Sequence, residues 1–162
     1  MEHTISRWIE IDCDYDKAKL STIWLENKDD AYVYHNEKDN EAQPVRILPL
    51  SKLEIPYVKE LQNKFKYAEK SLFVASSGYH PHIDDNRTCV VSFEVVNKHK
   101  VPLKFYDPDE EADNTNPILW NTATLHGSEK SPSERVFFQI VMESNKPFEF
   151  YLKKYLDNEL LY

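Results

Sequence analysis

Glycine is almost missing from this chain. The 162 residues include two, Gly78 and Gly127, beside ten tyrosines, eight phenylalanines and nine prolines. Most turns must therefore be made by Asn, Asp, Ser and Pro. The two cysteines, Cys13 and Cys89, are too few for a disulfide framework and form no C-x-x-C unit. They read as reduced, buried thiols. No run approaches the roughly 18 consecutive apolar residues of a membrane helix, and no basic stretch followed by an apolar core opens the chain, so no leader is expected. Basic charge is also short. A formal net charge of −8 and a pI near 5.2 disfavour a nucleic-acid partner, which needs clustered Lys and Arg. The expectation is a cytoplasmic protein with no membrane partner.

A content of 41% hydrophobic and 13% aromatic residues is that of one globular domain spanning 1–162. A strand is expected at 7–12, then a short helix capped by Asp14 or Asp16 and running to Leu25, then strands at 31–34 and 45–50 around a polar loop at 35–43. The Ser51/Glu54 capping-box pattern, with Leu53, Tyr57, Val58, Leu61 and Phe65 at helical spacing, predicts a helix over 51–70. Short strands follow at 72–75, 88–96, 103–106, 117–120, 125–127, 135–142 and 148–151, with an acidic loop at 107–116 and a terminal helix at 152–161. A mostly β chain with flanking helices fits a double-stranded β-helix (jelly-roll, cupin-like) core. Residues 1–75 would supply helices and supporting strands, 76–151 the metal-binding core, and 152–162 the C-terminal helix.

The stretch that carries chemistry is Tyr79-His80-Pro81-His82-Ile83-Asp84-Asp85-Asn86-Arg87-Thr88, running into an apolar strand. His82 and Asp84 are two apart, so an extended backbone places both on one face. One imidazole and one carboxylate are two thirds of a 2-His-1-carboxylate iron site, and His126 is the candidate for the third ligand. The triplet alone is weak, because six histidines and 28 acidic residues give about one H-x-[DE] by chance. His35-Asn36-Glu37 is such a copy, in polar surroundings. Context separates the two, since Asp84 leads into a Val/Phe-rich strand that could hold ligands rigidly. Arg135 then heads the run Val-Phe-Phe-Gln-Ile, an expensive place for a guanidinium unless an anion meets it. A dicarboxylate reaching from metal to arginine would do so bidentately. The alternative is an ion pair with Glu134 or Glu129.

The order H-x-D, distal His, then Arg resembles the 2-oxoglutarate and Fe(II)-dependent dioxygenases over residues 79–143, with His82, Asp84, His126 and Arg135 matching its motif. The resemblance implies Fe(II) held by His82, Asp84 and His126 as the catalytic set, with 2-oxoglutarate as cosubstrate and its distal carboxylate on Arg135. It also implies dioxygen as co-reactant. The carboxylate at Asp84 points to hydroxylation rather than halogenation. Some members carry a Ser two residues after the arginine; here that position is Phe137, so Tyr79 or Thr88 is the expected hydroxyl. Arg87 is a candidate for steering an anionic substrate or the C1 carboxylate, with a surface salt bridge as its alternative. His80 reads as a neighbour of the site, and the acidic loop 107–116 as a possible border of its entrance. The implied substrate is a small amino-acid-like molecule or a protein side chain. A cupin-like metal-binding module without oxygenase activity is the alternative function.

Overall fold

Two-residue periodicity decides which face of each strand meets which core. The computed structural model describes residues 7–34, 45–51 and 53–162. His3, the polar loop at 35–43 and its His35-Asn36-Glu37 triplet lie outside the described residues. Along the chain come β1 (Trp8–Glu10), α1 (Lys17–Asn27), a 3-10 turn, β2 (Tyr32–Tyr34), β3 (Val45–Pro49), α2 (Pro56–Gln62) and β4 (Ala68–Ser76). There follow β5 (Tyr79–His82), β6 (Cys89–Val96), β7 (Leu103–Phe105) and β8 (Glu110–Ala112). The last elements are β9 (Ile118–Asn121), β10 (His126–Ser128), β11 (Arg135–Met142) and α3 (Phe148–Leu156).

The strands form a seven-stranded sheet in the order β1-β9-β6-β11-β4-β3-β2 and a four-stranded sheet in the order β5-β10-β7-β8. Every strand pairing among the described residues is antiparallel. Val136, Phe138 and Ile140 of β11 belong to the core shared with Leu20 and Trp24 of α1 and Leu61 of α2. Arg135, Phe137 and Gln139, the alternate positions, line a cavity on the other face. A second cluster, with Val90, Leu103, Phe105, Ile118, Trp120 and Val141, joins the two sheets beside that cavity. This is the expected double-stranded β-helix with helices packed outside. Ile140 is fully buried in the first core, so Ile140→Val is expected to cost about 1 kcal/mol, read as a lower urea midpoint at unchanged m-value.

Asp16 caps α1 as expected, its carboxylate accepting from the Lys19 amide at 3.0 Å. Three expectations need correction. The helix over 51–70 is only seven residues long, because Pro56 drives Ile55 into extended backbone (φ −102°, ψ 110°) and no helix can start before it. Its expected last third is turn and then strand: residues 63–67 turn, with Phe65 in an isolated bridge to Leu161, and Ala68 opens β4, which pairs with β3 and β11. Residues 148–151 are helix rather than strand, since Phe148 and Tyr151, three apart, are both buried by α3 against the main core. The acidic loop 107–116 contains β8, whose Glu110 pairs with Arg7 at 3.2 Å.

Candidate metal centre

Hydrogen bonding across β5 and β10 sets two candidate ligands opposite each other, since His82 and His126 are register partners. Their rings lie 4.4 Å apart between centroids. Asp84 lies two residues past the end of β5, and its amide donates to the Thr122 carbonyl at 3.0 Å. Thr122 is fully buried and acts as a strut. Its own amide donates to the Thr88 carbonyl at 3.2 Å and its hydroxyl to the Arg87 carbonyl at 2.9 Å, so residues 84–88 are tied to the end of β9.

Side-chain atoms of His82, Asp84 and His126 all lie within 4.8 Å of one another. Asp84 Oδ1 is 3.1 Å from His82 Nε2 and 3.9 Å from His126 Nε2. Bonds of about 2.0–2.2 Å at right angles put neighbouring ligands roughly 3 Å apart, so the first separation suits two ligands of one ion. The tautomers suit it as well. Nδ1 of His126 donates to the Thr124 carbonyl at 2.7 Å and Nδ1 of His82 to the His80 carbonyl at 2.9 Å, leaving both Nε2 atoms facing Asp84. Burial pulls His126 down to about 4, against the pull of the Asp84 carboxylate, so its imidazole is neutral and able to ligate at neutral pH. Burial pushes Asp84 up, but the hydrogen bond from His82 and the Arg87 guanidinium outweigh it and hold the carboxyl at about 2. The hydrogen bond to Asp84 raises His82. Two imidazoles and one carboxylate are the donor set for a non-haem Fe(II) ion with positions left for other ligands.

The cavity between the sheets adjoins this set. Tyr79 and Trp120 line it and also touch the His126 ring, at centroid distances of 6.3 and 4.7 Å. Arg135 lines it at the head of β11, beside Ser76, its register partner on β4. Only 2% of Arg135 is exposed, and neither Nε nor Nη2 has a partner among the described residues. Both acidic residues that could have paired with it are engaged elsewhere, Glu134 with Arg46 and Glu129 with Lys104. A buried guanidinium with two idle donors is a costly arrangement that an anion relieves.

Tyr79 and Thr88 are the hydroxyls that the sequence offers beside Arg135. Tyr79 lines the cavity, and its phenol, pushed up to about 12 by burial, stays protonated and able to donate. Thr88 points elsewhere, its hydroxyl donating to the Lys146 carbonyl at 2.5 Å. Ser128 is the residue that sequence reasoning missed. Its hydroxyl is buried, lines the cavity and is unpartnered among the described residues. A signal existed, since Ser128 is two residues past His126 on one strand and so shares its face. Arg87 does not line the cavity; it forms an ion pair with Asp84. Its Nε donates to Asp84 Oδ2 at 2.7 Å and its Nη1 to Gln139 Oε1 at 3.0 Å. His80 is exposed and enters the site through its carbonyl. Asn121 makes a turn, accepting from the Ala123 amide at 3.0 Å.

No family model matches the sequence, and no curated protein does. Solved structures do match in fold. A prolyl-4-hydroxylase from Pseudomonas putida superposes with a TM-score of 0.58 at 8% identity, covering 86% of this chain and 94% of that one. A prolyl hydroxylase from Trichoplax adhaerens, in complex with a hypoxia inducible factor peptide fragment, gives 0.56 at 14% identity over 78% and 76%. HygX from Streptomyces hygroscopicus, with nickel and 2-oxoglutarate bound, gives 0.54 at 7% identity over 86% and 83%. At such identities the likeness speaks for architecture alone, and the chain has the double-stranded β-helix fold of these hydroxylases and of HygX.

Proposed function

We propose that this protein is a non-haem Fe(II), 2-oxoglutarate-dependent hydroxylase. One observation carries the reading: Arg135, whose Nε and Nη2 lack a partner among the described residues, lines an inter-sheet cavity whose wall residues Tyr79 and Trp120 also contact the His126 ring of the His82-Asp84-His126 set. A dicarboxylate is the ligand class that answers both ends, with one carboxylate for the guanidinium and an oxo-acid end for the metal. When bound, the metal and cosubstrate supply oxygen activation, with conversion of 2-oxoglutarate to succinate and CO2.

The chain's own residues supply orientation and dryness. His82, Asp84 and His126 hold the ion, Arg135 and Ser128 grip the distal carboxylate, and Tyr79 offers a phenolic donor from β5. Trp120 walls the cavity against the His126 ring and keeps water from that side. The substrate proposed is a small amino-acid-like molecule or a side chain on a protein, and the compartment proposed is the cytoplasm. No described helix is long and apolar enough to cross a membrane.

The direct test is anaerobic loading with Fe(II) and 2-oxoglutarate, followed by oxygen and a succinate assay. Slow succinate release without added substrate is expected. An iron-loaded protein that neither binds 2-oxoglutarate nor forms succinate would sink the reading. Ser128→Ala is expected to weaken 2-oxoglutarate binding about tenfold, the worth of one hydrogen bond to a charged group, with metal affinity unchanged. Calorimetric titration of the metal-loaded protein reads both.

A further inference from the structure

Asp84 has two carboxylate oxygens, and the protein treats them differently. Oδ1 faces the two imidazoles, at 3.1 Å from His82 and 3.9 Å from His126. Oδ2 faces away and accepts from Arg87 Nε at 2.7 Å. We propose that Arg87 is a positioning residue that keeps Asp84 a one-oxygen ligand, and this rests on the reading of His82, Asp84 and His126 as a metal centre.

The anchorage behind Arg87 is what makes it more than a surface ion pair. Its Nη1 donates to Gln139 Oε1 at 3.0 Å, and Gln139 sits in the middle of β11, held from both sides by the β4 and β6 ladders. Gln139 Nε2 in turn reaches Ser92 Oγ at 3.3 Å, and the same oxygen accepts from Trp120 Nε1 at 2.9 Å. The backbone of Arg87 is fixed independently by the Thr122 hydroxyl. So a run of hydrogen bonds leads from the centre of the large sheet to the outer oxygen of Asp84. A carboxylate's last torsion is a broad, two-fold rotor, and Asp84 lies two residues past the end of β5 rather than within a paired strand. Without the clamp, Oδ2 could swing to the ion and take a position that the cosubstrate or oxygen needs.

Two effects of Arg87 on a bound cation have opposite signs. Its positive charge repels the ion, whereas its hold on Asp84 favours it. Partners of this kind typically change metal affinity 10- to 100-fold, so the sign of the change in a variant decides which effect rules.

The experiment is calorimetric titration of Mn(II) and Co(II) alone into wild type, Arg87→Met, Arg87→Lys, Gln139→Leu and Asp84→Ala, with Co(II) visible spectra and apo melting temperatures alongside. Wild type is expected to bind and Asp84→Ala to lose most of the affinity. Arg87→Met should bind about 10- to 100-fold more weakly, with a changed Co(II) spectrum as the second oxygen joins the ion. Arg87→Lys should fall between, since an ammonium restores charge but not the two-directional fork. Gln139→Leu removes only the far anchor and should cost about threefold to tenfold; it keeps the question answerable if Arg87→Met does not fold. Equal or tighter binding with an unchanged spectrum in both Arg87→Met and Gln139→Leu overturns the positioning role while leaving the metal centre intact. Wild type binding neither ion overturns the metal centre, and this proposal with it.

Discussion

Arg135→Met is expected to weaken 2-oxoglutarate binding by roughly 100- to 4,000-fold and, at the same time, to make the ligand-free protein more stable. The two effects have one cause. In the ligand-free chain the guanidinium is buried, with Nε and Nη2 lacking a partner among the described residues, and burial lowers its pKa, which reports the cost of holding charge there. Methionine fills a similar volume beside Phe137 without that cost, so a gain of about 1–3 kcal/mol is expected. With the dicarboxylate present the sign reverses, because the variant leaves a carboxylate unpaired in an apolar pocket. Breaking a buried pair in this way costs about 3–5 kcal/mol, which at 1.4 kcal/mol per decade gives the stated loss. Thermal melts read both signs. The apo midpoint should rise, and the further rise that 2-oxoglutarate gives the metal-loaded wild type should vanish. Metal affinity should stay within about threefold, since Arg135 lies outside the His82-Asp84-His126 set. A lower apo midpoint together with retained 2-oxoglutarate stabilisation would refute the anion site.

The parts of this arrangement that were legible in the sequence are those with a local signature. His82 and Asp84 share a face by period two alone, and a guanidinium heading an apolar strand announces an unmet charge. What joins them to His126 is the β5–β10 pairing, which a sequence can only suggest. For Arg87 the sequence left anion steering and a salt bridge open, because a charge three residues from Asp84 can turn inward or outward; the structure pairs it with Asp84, and Gln139, 52 residues later, holds its other end. Thr122 carried no signal at all, since its three hydrogen bonds exist only once 84–88 has folded back on β9. The helix over 51–70 failed for the opposite reason. Its apolar spacing was real, but the ladders of β3 and β11 took residues 68–76 into the sheet, and pairing overrode the local pattern.

The scarcity of glycine acquires a meaning here, because both glycines sit along the contact of β5 with β10, Gly127 within β10 and Gly78 just before β5 against the residues that follow β10. A Cβ on Gly127 would lie 3.1 Å from Pro81 N, 3.2 Å from Pro81 Cα and 3.2 Å from the Tyr79 carbonyl oxygen. All three are backbone atoms of β5, so relief requires β5 to move away from β10. That motion separates His82 from His126, the register pair on either side of the contact. Gly78 is at φ +138°, and a Cβ there would meet the Glu129 carbonyl at 2.9 Å and Lys130 Cα at 3.0 Å. Gly127→Val is therefore expected to lower Mn(II) or Co(II) affinity about 100-fold, the scale of a displacement approaching 1 Å in a functional set. The main core is formed elsewhere, between the helices and the large sheet, so far-UV circular dichroism should change little. Gly78→Ala should cost about 1–3 kcal/mol of stability from backbone strain and weaken metal binding less than Gly127→Val, because it lies a full strand length from His82. Wild-type metal affinity in Gly127→Val would mean that the spacing of β5 and β10 does not govern the ligand set, whereas loss in Gly127→Val with partial retention in Gly78→Ala identifies the close approach of these two strands as what holds His82 to His126.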